Sequence, residues 1–255
     1  MYDPPAYIWV ITIAATAAIG AAACVVLYSG AMRAGLGRRR AALLAGAAAV
    51  VLGGWFTATA VIAGHGWYNT RLGHGVPWLP IAVAGFFGTL LALRRIPVVT
   101  RALAAPGLAS RLEYPHLFRV EGVVFLILMA LGHLPALFAL PAGLGDIATG
   151  IAAPLVALRL ARGTSRRAAL WLNAFGMTDL VVALTLGAVT AYQLIHVTPS
   201  GAPISELPLA LIPTAAVPLL FALHLTSVPA LLRTRRTPLR ATAPRTAAAP
   251  NPVAH

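Results

Sequence analysis

The chain contains no lysine; its nineteen basic side chains are all arginine. A light-driven retinal protein is thereby excluded, because the Schiff base needs a lysine amine. Acids are almost as scarce, with six in 255 residues. Charged residues make up 10% of the chain, against about 25% in an ordinary soluble domain. Cys24 is the one cysteine, so neither an intrachain disulfide nor a C-x-x-C metal or redox site can form. What replaces these residues is apolar: 59% of the chain is hydrophobic, a composition suited to a bilayer.

A formal charge of +13 raises nucleic acid as a partner. The arginines instead stand in clusters between apolar runs, the pattern of cytoplasmic membrane loops, and no nucleic-acid role is expected. A transmembrane helix needs about 20 apolar residues for a hydrocarbon core of about 30 Å. Seven stretches qualify: 7–30, 41–64, 76–93, 117–140, 141–160, 169–193 and 207–232. Arginine clusters follow the first, third, fifth and seventh. The expected fold is an all-α polytopic transmembrane helical bundle of seven spans, with the N-terminus outside and the C-terminus cytoplasmic. Its domain occupies residues 1–232, and residues 233–255, rich in Ala, Pro and Thr, read as a disordered basic cytoplasmic tail. The expected partners are the lipid bilayer and anionic headgroups at the cytoplasmic arginines; the oligomeric state is left open. The connection "RRIPVVTRALAAPGLASRLEYPH" reads either as a broken amphipathic surface segment or as an ordinary loop.

The stretch "LPALFALPAGLGD", residues 134–146, puts helix breakers and a carboxylate into membrane-like sequence. If Asp146 capped the fifth helix, the remainder to Leu160 would span only about 21 Å, too short to cross. The helix must recruit upstream residues, either from near Pro141 or through a non-helical bend, so Pro135, Pro141, Gly143 and Gly145 read as turn and hinge. Counting from cytoplasmic arginines puts His133, Asp146 and Asp179 in one layer, about 18–21 Å deep. An intramembrane acid costs about 2.5 to 3.5 kcal/mol at a helix centre and needs a partner, which makes a His133–Asp146 pair an attractive arrangement. Glu121, Asn173 and His224 form a secondary set toward the cytoplasm. The plainer readings are an N-cap for Asp146, a carbonyl partner for His133 beside Pro135, and an anchoring ion pair between Glu121 and Arg119.

No two histidines share a helix at i, i+3 or i, i+4 spacing, so neither a metal nor a haem site is expected, and no cofactor. No G-x-S-x-G elbow, H-E-x-x-H pair or phosphate-cradling loop appears, and catalytic residues are not nominated. Two functions fit. One is a small transporter or proton-coupled permease using His133, Asp146 and Asp179, with Pro208, Pro213 and Pro218 bending the last span. The other is a non-catalytic membrane scaffold or accessory subunit whose buried polar residues lock packing.

"FRVEGVVFLILMALGHLPALFALPAGLGDIATGIAAPLVA", Phe118 to Ala157, resembles a signature of uncharacterised bacterial multi-span integral membrane proteins. "WLNAFGMTDLVVALTLG" resembles the same group more loosely. The resemblance implies several spans in a bacterial plasma membrane and implies no reaction.

Overall fold

A computed structural model describes residues 4–69 and 76–233, and every regular element among them is helical. Arg71, His74 and the tail after Arg233 lie outside the described residues. Helix α1, Ala6–Arg33, begins after Pro5. It returns through a turn at Gly35 and Gly37, both at positive φ, into α2, Arg38–Gly64. Helix α3, Trp78–Leu93, ends at an arginine pair. There the chain bends by 86° into α4, Pro97–Leu103, with Ile96 extended ahead of Pro97, as a residue before proline prefers. Helix α5, Ala109–Glu113, leads into a 3-10 helix, Tyr114–Gly122, and that into α6, Val123–Ala130. Helices α7, Ala136–Ala161, and α8, Arg166–Ala191, follow. A π turn, Ile212–Ala216, opens α9, Val217–Arg233.

Five helices are long and apolar enough to cross a membrane: α1, α2, α7, α8, and the π turn with α9; the bent pair α3 and α4 makes six if counted as one span. Their outer faces expose large apolar residues such as Val10, Leu43, Val50, Ile151 and Trp171. Lipid accommodates such a surface; water would not.

The connection between α3 and the 3-10 helix is folded back into the bundle. Ala102, Leu108 and Leu112 are fully buried, and a Cβ on Gly30 of α1 would strike the carbonyl of Ala102. The expected fourth span, 117–140, is not one helix. It divides into the end of the 3-10 helix, α6, a turn over Leu131–Leu134 with Gly132 at positive φ, and the start of α7. Pro115 lies in the first turn of the 3-10 segment, and Pro135, in extended conformation, N-caps α7.

The turn thus falls just before Pro135, and α7 runs unbroken through Pro141 and Pro154. Gly143 and Gly145 lie inside this continuous helix, where they are contact points. A Cβ on Gly143 would meet the Leu126 side chain and the carbonyl of Gly122, and one on Gly150 would meet the backbone nitrogen of Val120. Gly143 and Gly150, two helical turns apart, bring α7 against the 3-10 helix.

Last, the π turn has a local cause. Pro213 has no N–H to offer the helix, and the Trp55 indole of α2 donates to the carbonyl of Thr214 at 2.8 Å. Thr59 donates to the Thr214 hydroxyl at 2.9 Å and shares a 2.8 Å hydrogen bond with Tyr68.

Candidate functional site: a guanidinium between two aspartates

A 3-10 helix has three residues per turn, so side chains three apart eclipse. Along this segment His116, Arg119 and Gly122 are buried, with Glu113 one turn earlier, while Tyr114, Leu117, Val120 and Val123 are exposed. One face therefore carries a carboxylate, an imidazole and a guanidinium inward, and Gly122 leaves room beside them. A Cβ there would strike Asp146.

Arg119 has no exposed surface. Its Nε donates to Oδ1 of Asp146 on α7 at 2.7 Å, its Nη2 to Oδ2 of Asp179 on α8, and its Nη1 to the carbonyl of Gly176 at 3.3 Å. Nη1 also faces Nε2 of His224 on α9 at 3.4 Å. Three spanning helices and the 3-10 helix thus meet at one side chain. Glycines again permit the approach: a Cβ on Gly145 would overlap the Asp179 carboxylate, and one on Gly176 the His224 ring.

A second network adjoins the first. Asn173 of α8 donates from Nδ2 to Oε1 of Glu113 at 2.8 Å and to the carbonyl of Ala169 at 2.8 Å. Its Oδ1 must then accept, so His224 Nδ1, 2.9 Å away, carries the proton. His224 Nε2 is left with the lone pair it turns to Arg119. Ser227 donates to the same Glu113 oxygen. Glu113 sits on α5, outside the spanning helices. Burial there pushes its carboxyl up to about 7, with the Ser227 and Asn173 hydrogen bonds pulling it down. His116 stacks on His224 with ring centroids 3.7 Å apart and planes 17° apart.

Of the expected layer, Asp146 and Asp179 meet at Arg119. His133 does not join them. It is exposed in the turn before Pro135, thirteen residues ahead of Asp146, and the Asp146 carboxylate pairs with Arg119 instead. In the secondary set, Asn173 and His224 are hydrogen-bonded, while Glu121 is buried with Oε2 lacking a partner. The expected ion pair between Glu121 and Arg119 is absent, because residues two apart on a 3-10 helix point about 120° apart. In the sequence Arg119 marks the cytoplasmic end of a span, and no motif there singles out Glu113, His116 or Ser227.

A cavity of about 310 Å³ reaches this cluster. Its wall is formed by α3, α6, α7, the second half of α8, the π turn and the start of α9, with Phe87, Phe138, Leu184 and Phe221 among the lining residues and Asp146 the single charged one.

Fold and site together describe a helical bundle with spanning-length apolar helices around a buried arginine shared by two aspartates. Residues 76–232 match the family described as a domain of unknown function, DUF8737, and the chain belongs to that family. The match takes in α3 to α9, hence every residue of both networks; membership in a family of unknown function is consistent with the resemblance read over Phe118–Ala157. The chain matches no curated protein and no solved structure.

Proposed function

We propose that the chain is a small proton-coupled permease of a bacterial plasma membrane. The observation that carries this reading is the apolar cavity with Asp146 as its one charged lining residue, where Asp146 shares the Arg119 guanidinium with Asp179. Two carboxylates against one guanidinium leave one negative charge in surplus, which a bound proton neutralises until a cationic solute displaces it. Either carboxylate can be given up, to a proton or to a cationic solute, while the other keeps Arg119 paired. The cavity lies at the small end of the range for ligand pockets, about 300–1,000 Å³. An apolar wall with a single acid suits a small, mostly apolar cation.

The reading takes the protein across the bilayer seven times. The 3-10 helix of 9 residues and α6 of 8 residues, at rises of about 2.0 and 1.5 Å, extend about 30 Å together, enough for a crossing. Two contacts between arginine-bearing ends support one cytoplasmic face: Arg33 donates to the carbonyl of Pro106 at 3.2 Å, and Arg166 to that of Leu231 at 2.7 Å. The N-terminus is then outside, the cavity opens toward the outer side, and the cytoplasmic arginines face anionic headgroups.

The test is uptake of radiolabelled benzyltrimethylammonium, a permanent cation that does not diffuse through lipid as a neutral species, into proteoliposomes under an imposed pH gradient. Wild-type protein drives uptake, and Asp179→Asn abolishes it while the protein remains folded. Full uptake by Asp179→Asn overturns the proton-coupling role given to Asp179, and no uptake by wild-type protein overturns the permease reading and favours a scaffold.

A further inference from the structure

We propose that Glu113, His116 and His224 form a binding site for a divalent transition metal ion of the zinc class, distinct from the Arg119–Asp146–Asp179 cluster. One ligand atom from each of the three residues lies within 4.8 Å of the others, and all three residues are buried. Two imidazoles and a carboxylate are a donor set that zinc and its neighbours favour.

The strongest indication is what these side chains lack. His116 has no exposed surface, and neither of its ring nitrogens has a hydrogen-bond partner. Oε2 of Glu113 is likewise buried without one. Buried polar atoms are nearly always satisfied, and each orphan costs about 1–3 kcal/mol. One His116 nitrogen and Glu113 Oε2, both able to ligate a metal, have a common remedy in a cation between them; the other His116 nitrogen then carries the ring proton.

Two further features fit. The Nδ1–H of His224 is held by Oδ1 of Asn173 at 2.9 Å, which fixes the tautomer with the Nε2 lone pair free to ligate. An oriented second nitrogen is the usual outer-shell support of a metal-binding histidine. Charge balance points the same way. An ionised Glu113 has no cation of its own, because Arg119 is taken by Asp146 and Asp179. Arg119 need only release its 3.4 Å contact with His224 Nε2, since Asp146, Asp179 and Gly176 still hold it. Ligand atoms of a tetrahedral zinc site lie about 3.3 Å apart, so closing the set requires the His116 ring to turn out of its stack on His224, whose centroid lies 3.7 Å away. Glu113 and His116 come from "EYPH", a Glu-x-x-His spacing that on one helical face supplies two ligands at once.

The experiment uses the full chain in detergent, stripped with EDTA and freed of any affinity tag. Zinc sulfate is titrated calorimetrically, bound metal is counted by mass spectrometry, and Co2+ is substituted to read visible absorption. The expected result is one ion per chain and tetrahedral Co2+ bands, both lost in His116→Ala. Asn173→Ala keeps all three ligands and weakens binding about 10–100-fold. His133→Ala, at an exposed position, leaves binding unchanged. Should His116→Ala not fold, Glu113→Gln and the Co2+ spectrum of wild-type protein carry the test. Asp179→Asn retains the metal, which separates this site from the permease reading. Absence of stoichiometric binding, or binding that survives both His116→Ala and Glu113→Gln, overturns the proposal.

Discussion

Nε of Arg119 lies 2.7 Å from Oδ1 of Asp146, on a different helix and 27 residues further along the chain. The guanidinium is wholly buried and its other edge is taken by Asp179, so this contact ties the 3-10 helix, α7 and α8 together. Removing one partner of a buried ion pair costs about 3–5 kcal/mol, because the charge left behind has no water. Arg119→Leu leaves two such charges. It is expected to lower stability by at least about that amount, read as denaturant or thermal unfolding in detergent. Arg119→Lys does not restore it, since an ammonium cannot present a planar fork to two carboxylates at once. Unfolding of Arg119→Leu at the wild-type midpoint would show that the pair carries no structural weight.

Gly145→Ala places a methyl into the Asp179 carboxylate. Overpacking of this kind costs about 1–3 kcal/mol, and here it also pushes Asp179 away from Arg119. Gly53→Ala on α2 meets nothing within 4 Å and should leave the melting temperature unchanged or slightly raised. Equal melting of the two variants would refute the packing role assigned to Gly145.

Trp55 serves two purposes: it stacks on Phe86 with centroids 4.8 Å apart and donates to the Thr214 carbonyl within the π turn. Trp55→Phe keeps the stack and removes the donor. The unsatisfied carbonyl costs about 1–3 kcal/mol, and the loss appears as lower thermal stability without loss of helical circular dichroism.

Ala188 lines the cavity on α8. Ala188→Phe fills part of that cavity, nine residues along α8 from Asp179 and away from either charge network. Uptake of benzyltrimethylammonium falls at least about tenfold, as expected when a pocket loses the volume its ligand needs, and the unfolding midpoint stays put. A variant that transports normally would place the solute path elsewhere.

Much of the bundle was legible because long apolar runs and arginine clusters are direct consequences of bilayer physics. The limits of α1, α2, α7 and α8 follow from them to within a few residues, apart from the start of α7. Asp146 and Asp179 were legible as well, since an acid inside an apolar run has few explanations. Arg119 was not: counting 1.5 Å per residue presumes an α-helix, and the segment 114–122 is a 3-10 helix. There the informative period is three, and "EYPHLFRVEG" read at that period aligns Glu113, His116, Arg119 and Gly122. Nearness in sequence alone pairs Arg119 with Glu121, and the helix breakers of "PAGLGD" point to a turn or hinge. Its glycines are instead the small residues that let neighbouring elements approach α7, a role that depends on partners far away in the chain.

The central claim is that the carboxylate in excess over Arg119 exchanges a proton for a cation. The direct measurement is the number of protons released into weakly buffered detergent solution when benzyltrimethylammonium binds, followed with a pH electrode near neutral pH. Exchange linked to one site releases at most about one proton per bound cation. The account predicts a release near that limit in wild-type protein and none in Asp179→Asn. Binding with no proton release in wild-type protein, or the same release in both proteins, would contradict it.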